Sequence, residues 1–305
     1  MYKKYIGGFI FVLVIIFGFI ILSQNQSQPE GFAKPQVVAS FYPLYFLAEQ
    51  TSGDKANVFN MTPAGAEPHD YEPTPQDLIR IENSDLLILN GSGLETWASN
   101  ITKNIGDKVS IIIAGENLTT KEIEEEGKTI VDPHIWLDPT LAQKMADKIT
   151  QGLIKIDPMN ATYYQNNAIT LKNKLANLDS LYKQGLRDCL KKDIITSHAA
   201  FGYLASAYGL NQVPISGLSP DAEPSPAELA QIAQFAKKHD VRYIFFESLA
   251  SSKLSETIAR EAGAKTLVLN PIEGLTDEEI AKGHDYFTEM ESNLTNLQIA
   301  LQCKQ

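Results

Sequence analysis

Five histidines occur in the 305 residues, and three of them sit where an imidazole could be presented to a metal ion. His69 lies in AEPHDYEPTPQDL (66–78) and His134 in VDPHIWLDP (131–139). Prolines flank both. Each proline fixes its own φ and pushes the residue before it toward an extended shape. A side chain on so stiff a segment loses little entropy when something binds it. His198 lies in DIITSHAAFGYL (193–204), after an apolar run that ends at Thr196 and before a helix expected from about Ala199. The positive end of that helix disfavours protonating His198, and a metal takes the neutral imidazole. One such histidine alone reads as an ordinary solvated loop residue; the repetition of the arrangement is what points to a metal. His239 (in AKKHD) ends a helix and His284 (in AKGHDYF) lies on the last helix; both are flanked by charges and read as exposed.

Three imidazoles suit a zinc-type ion better than calcium or magnesium, which prefer oxygen. A fourth ligand could come from a carboxylate at another strand end. NPIEGLTDEE (270–279) offers Glu273, with Asp277 as the runner-up. Glu247, closing RYIFFE, is a third candidate, or else a group that steadies an imidazole through its second ring nitrogen. Cys189 and Cys303 are too few and too far along the chain to build a thiolate site. By themselves they leave open a disulfide or two free buried thiols.

The elements that must position these residues follow an α/β pattern. A chain of 305 residues with 44% hydrophobic content is long enough to outgrow a single core. Its net charge of −11 argues against a nucleic-acid partner. Apolar runs at 37–40, 57–61, 86–90 and 109–115 read as strands, with helices over 42–53 and 74–84 between them. Strand–helix alternation predicts a mostly parallel sheet. A helix over 139–157 is followed by residues 159–190, about thirty residues with no internal proline and leucines at helical spacing. This reads as one long, stiff connector, or as two shorter helices with a break. The alternation resumes at 193–197, 212–216, 242–248 and 265–270, and a last helix is expected over 277–301. The domain reading is therefore an anchor or signal sequence plus tether over 1–35, an α/β lobe over 36–158, a connecting helix over 159–190 and a second α/β lobe over 191–305. EPSPAEL (223–229) echoes EPTPQDL (72–78), as two related halves would. Open α/β sheets place ligands at the carboxyl ends of their strands, so the three histidines converge on an interlobe cleft.

At the N-terminus, Lys3 and Lys4 precede an apolar run over residues 6–22 that just reaches bilayer length. The lysines stay in the cytoplasm and the rest is exported. An uncleaved anchor is the expectation, with cleavage near Gly31-Phe32-Ala33 as the alternative and residues 23–35 as a flexible tether. No cysteine follows the run, which excludes a lipid-anchored start at that point.

PHDYEPTP, DPHIWLDP, TSHAAFGYL and NPIEGLT occur in this order, and over residues 36–302 the chain resembles the zinc and manganese solute-binding receptors of ABC importers (ZnuA/TroA-like). The resemblance implies two α/β lobes joined by one long rigid helix, one metal ion between them, and ligands at His69, His134, His198 and Glu273. Manganese-type members tend to have glutamate in place of His198, so the resemblance implies Zn2+ rather than Mn2+. It also implies pairing of Cys189 with Cys303, a membrane permease as partner and an extracytoplasmic monomer that is not an enzyme. Many zinc members carry a histidine-rich loop ahead of DPH. Here KEIEEEGK (121–128) takes that place and reads as a solvated loop. The competing readings are a manganese or iron receptor, a surface adhesin, and a zinc hydrolase with Glu273 as base.

Overall fold

Short runs such as LLIL, apolar at every position, suit strands covered on both faces, as parallel strands with helical crossovers are. The computed structural model describes residues 33–304 except 107 and 126, and there these runs form two parallel sheets of four strands each. The first comprises β1 (Gln36–Ala39), β2 (Asn57–Asn60), β3 (Leu86–Leu89) and β4 (Ser110–Ile113), in the order β2-β1-β3-β4. A hairpin of β5 (Glu122–Glu125) and β6 (Lys128–Val131) follows. The second sheet comprises β7 (Asp193–Thr196), β8 (Asn211–Pro214), β9 (Tyr243–Phe246) and β10 (Lys265–Val268), in the order β10-β9-β7-β8. Counted within each lobe, both sheets read 2-1-3-4.

The echo between EPTPQDL and EPSPAEL falls at equivalent places. Helix α1 (Tyr42–Ser52) joins β1 to β2, and α2 (Pro75–Glu82) leads into β3. Thr74 and Asp77 form a capping box at the start of α2. Ser225 and Glu228 do the same for the helix that leads into β9, the third strand of the second lobe. In both, proline occupies the first turn, where its missing N–H leaves no bond unmade.

The short helix α3 (Ala98–Thr102) precedes β4, and α4 (Pro139–Ile156) follows the hairpin. Helix α5 (Ala161–Gly185) then runs along the molecule, burying Tyr164, Ala168, Leu171, Leu175, Leu178 and Tyr182 at helical spacing. The second lobe carries α6 (Gly202–Tyr208), α7 (Pro226–Lys238), α8 (Lys253–Ala262), α9 (Asp277–Ala281) and α10 (Tyr286–Leu301). Helix α5 packs on α1 and α4 from the first lobe and on α10 from the second. One apolar cluster runs from Val37 through Leu175 to Leu301, so the lobes share a core along the helix that connects them.

Three expectations change. The connecting helix is shorter than 159–190: a 3-10 turn at Pro158–Asn160 precedes it, and it stops at Gly185, where the α10 side chain of Gln298 donates to the Gly185 carbonyl. The last helix is two, broken at Gly283 (φ 78°), with Asp285 capping α10. His284 therefore lies in the turn between them. The segment 121–128 is a hairpin arm and turn rather than a loop, because Gly127 (φ 74°) lets EIEE fold back on KTIV. The expected anchor over residues 6–22 lies outside the described residues, as do Gly31 and Phe32 of the alternative cleavage site. Among the described residues no helix is long and apolar enough to cross a membrane.

Cys189 and Cys303 are bonded, tying the chain just after α5 to the chain just after α10 across 114 residues of sequence. Closing so long a loop restricts the unfolded chain. Cys303→Ser is expected to lower stability by about 2–4 kcal/mol, read as a lower urea midpoint of the metal-free protein.

Candidate metal centre

His69 follows β2, on a segment anchored ahead of it at two places. Met61 and Thr62 bond back to β1 and Ser40, and the Gly65 N–H donates across to the Leu275 carbonyl of the second lobe (3.0 Å). His134 follows β6 and caps a 3-10 turn at Ile135–Leu137. His198 follows β7 and precedes a 3-10 turn at Ala199–Phe201 that runs into α6. Glu273 follows β10.

The structure brings these four together and leaves the other candidates outside. His69 Nε2 lies 3.2 Å from His134 Nε2 and 3.3 Å from Glu273 Oε1. His134 Nε2 lies 3.3 Å from His198 Nε2 and 3.1 Å from Glu273 Oε1. His198 Nε2 is 3.4 Å from the same oxygen. A tetrahedron whose corners lie 2.0–2.1 Å from zinc has edges of about 3.3–3.4 Å; these five separations lie close to that, and all six pairs, His69 with His198 included, lie within 4.8 Å. His134 and His198 are fully buried, and Glu273 nearly so. His69 alone keeps some exposure, at 10% of its side chain. Asp277 is an exposed residue in the first turn of α9. His239 bonds Asp193 and stacks on Phe235, and His284 bonds Glu289.

Two carboxylates orient the rings. Asp132 Oδ1 accepts from His134 Nδ1 at 2.8 Å and from the His134 peptide N–H at 2.9 Å. Glu247 Oε1 accepts from His198 Nδ1 at 2.6 Å. Each bond puts a proton on Nδ1 and turns Nε2 to the centre, an arrangement that fixes tautomer and ring plane in metal sites. Gly202 gives Asp132 its room: a Cβ there would lie 2.7 Å from Asp132 Oδ2. Trp136 Nε1 donates to the Pro271 carbonyl at 2.7 Å, and Tyr286 donates to the Trp136 carbonyl at 2.6 Å. The loops carrying His134 and Glu273 are thus joined across the floor of the cleft.

The charges are strongly coupled. Burial lowers the pKa of His69. Burial also opposes protonation of His134, but Asp132 and Glu273 outweigh it and raise its pKa. For His198 burial is again opposed, by Glu247 and Glu273, and the pKa lies well above the usual imidazole range. This reverses the expectation that the following helix keeps His198 neutral: a carboxylate at 2.6 Å prevails over the end of a 3-10 turn. Burial alone would raise Glu273, but His198 and the imidazole hydrogen bonds hold it well below the usual carboxylate range. Its Oε2 is buried without a hydrogen-bond partner. Burial, with Glu273 adding to it, pushes Glu67 up to about 9.

Sequence reasoning missed Asp132 and Glu67. Asp132 had a signal: an acidic residue two places ahead of a histidine, across a proline, folds back onto that ring. Glu67 had none, because its environment is made by Glu273, distant in sequence.

A sequence model of the family described as "zinc-uptake complex component A periplasmic" (ZnuA) matches residues 37–300. The chain is 41% identical to the high-affinity zinc uptake system protein ZnuA of Bacillus subtilis, over the full length of both. It is 36% identical to the zinc-binding protein AdcA of Streptococcus pyogenes over 97% of this chain, and spans 61% of that longer relative. The crystal structure of the Zn(II)-bound ZnuA-like domain of Streptococcus pneumoniae AdcA superposes with a TM-score of 0.77 at 40% identity, covering 88% of this chain and 99% of that one. Two parallel lobes with a shared strand order, a long helix between them and these matches along almost the whole chain lead to one conclusion: the protein belongs to the ZnuA family of zinc-uptake receptors.

Proposed function

We propose that His69, His134, His198 and Glu273 are the four ligands of one zinc ion, held between a lobe spanning residues 36–158 and a lobe spanning 191–305, with 159–190 as the connector. The observation that carries this reading is the convergence of four ligand atoms, with five of their six separations at 3.1–3.4 Å, close to the edges of a zinc tetrahedron. As a family member the chain is the extracytoplasmic zinc-binding component of an ABC uptake system; it delivers the ion to a membrane permease and is not an enzyme. Three nitrogen ligands favour zinc over manganese, and four protein ligands fill the coordination sphere, whereas a catalytic zinc keeps a position for water. The protein acts as a monomer, held to the membrane by residues 6–22.

Titration of the metal-free full chain with zinc against a competing chelator tests the ligand assignment. One tight site is expected, with His134→Ala costing several orders of magnitude in affinity and His239→Ala leaving it unchanged. Tight binding that survives His134→Ala would sink the assignment.

The raised pKa values of His134 and His198 carry a second expectation. Protons bound near the cleft compete with zinc, so binding releases protons, and affinity is full above the raised imidazole pKa values and falls as pH drops through them. Calorimetric titrations in two buffers of different ionisation enthalpy measure that release; equal apparent heats in both would contradict it. For the anchor, cell fractionation should find the full chain with the membrane and a chain lacking residues 6–22 not exported. Recovery of a shortened mature chain from the soluble extracytoplasmic fraction would show cleavage instead.

A further inference from the structure

Ile272, the residue before Glu273, has φ 59°. Of the non-glycine residues with positive φ among those described (Ser92, Asn117, Asp240, Ile272 and Gln302), it alone is β-branched. A β-branched side chain tolerates the left-handed region least. Such a conformation persists only where the surroundings over-determine it. Here the Ile272 side chain is fully buried in the shared core, and its peptide N–H donates to Asn270 Oδ1 at 2.8 Å. Asn270 thus forms a side-chain turn over the intervening Pro271.

Asn270 is itself held at every polar group. Its Nδ2 donates to Ser248 Oγ at 3.1 Å and to Glu289 Oε2 at 3.2 Å. Its peptide N–H donates to Asn293 Oδ1 at 2.8 Å, and its carbonyl accepts from Asn293 Nδ2 at 2.6 Å. The side-chain amide of Asn293, on α10, therefore continues the strand pairing past the end of β10. This network touches none of the three imidazoles. Through Ile272 it leads along the chain to Glu273; it also reaches Ser248, next to the Glu247 that accepts from His198 Nδ1.

We infer that Asn270 is a positioning residue for metal binding: its side chain holds Ile272 in the left-handed conformation, and that conformation turns Glu273 toward the three histidines. The inference rests on the reading of Glu273 as a zinc ligand. Without the clamp, Ile272 relaxes to negative φ in most molecules. The apparent dissociation constant then rises by the inverse of the fraction that still presents Glu273. Supporting residues of this kind commonly change metal affinity by about 10–100-fold.

The test is a cycle in the full chain, with zinc affinity read by chelator competition and the thermal midpoint of the metal-free protein read beside it. Asn270→Ala is expected to weaken zinc binding by about 10–100-fold. Glu273→Ala should weaken it further, and the double variant should match Glu273→Ala within about twofold, because the clamp then has no ligand to position. Asn270→Ser lacks the same amide donors but keeps a hydroxyl that can accept the Ile272 N–H. It should fall between wild type and Asn270→Ala in affinity, and it carries the same cycle if Asn270→Ala does not fold. An equal loss from Asn270→Ala with and without Glu273, or no loss at all, would overturn the inference. If Glu273→Ala alone leaves zinc affinity unchanged, the ligand assignment itself falls, which is a different and separately visible failure.

Discussion

Ligand atoms of three imidazoles and one carboxylate come within 4.8 Å of one another, most of them within hydrogen-bonding distance, in a place almost sealed from water. Imidazole nitrogens so close together cannot all turn lone pairs inward without a cation or protons between them, and buried polar atoms without partners are expensive. The surrounding structure answers that constraint. Asp132 and Glu247 hold Nδ1 of two rings so that the Nε2 atoms cannot turn away. Gly202 leaves space for the Asp132 carboxylate. The bond from Trp136 to Pro271 joins the segment behind His134 to the loop of Glu273, so the clustered side chains of the two lobes keep one mutual geometry.

The repeated 2-1-3-4 strand order explains how a site can be shared so evenly. Each sheet has its first strand flanked by its second and third, and loops at the carboxyl ends of such strands face outward from the sheet. The loops that reach the site follow different strands: β2 and the β5–β6 hairpin in the first lobe, β7 and β10 in the second. The residues they place there differ: the first lobe supplies two imidazoles from proline-stiffened loops, while the second supplies one imidazole and the carboxylate. The stiffness of the second lobe's carboxylate comes from a side-chain amide and a strained isoleucine rather than from flanking prolines alone.

Much of this was legible in the sequence, for identifiable reasons. Strands such as LLIL carry their own signal, because burial on both faces demands apolar residues throughout. Helix starts at Thr74 and Ser225 were readable because capping and proline at the first turn are local rules. His69, His134 and His198 could be picked out by the company they keep within a few residues. What was not legible is tertiary. The end of α5 at Gly185 is marked by a side chain from α10. The break at Gly283 depends on a backbone conformation that glycine permits but does not compel. The protonation tendency of His198 was misread because Glu247 is 49 residues away in sequence and 2.6 Å away in space. Asn270 and Ile272 look like ordinary strand-end residues until the sign of a single dihedral is known.

The exposure of the four clustered side chains is uneven, and this shapes traffic through the centre. Three of them are buried and His69 keeps some exposure, so an ion at the proposed site meets solvent on the His69 flank. An ion caged this way does not shed its ligands into bulk water in arbitrary order. A rival donor must arrive from the open flank and take over a bond as another is given up, so exchange resembles a hand-over between neighbours more than an escape. For the proposed ligand set, the opening lies beside the His69 segment, which Gly65 ties to Leu275 of the second lobe.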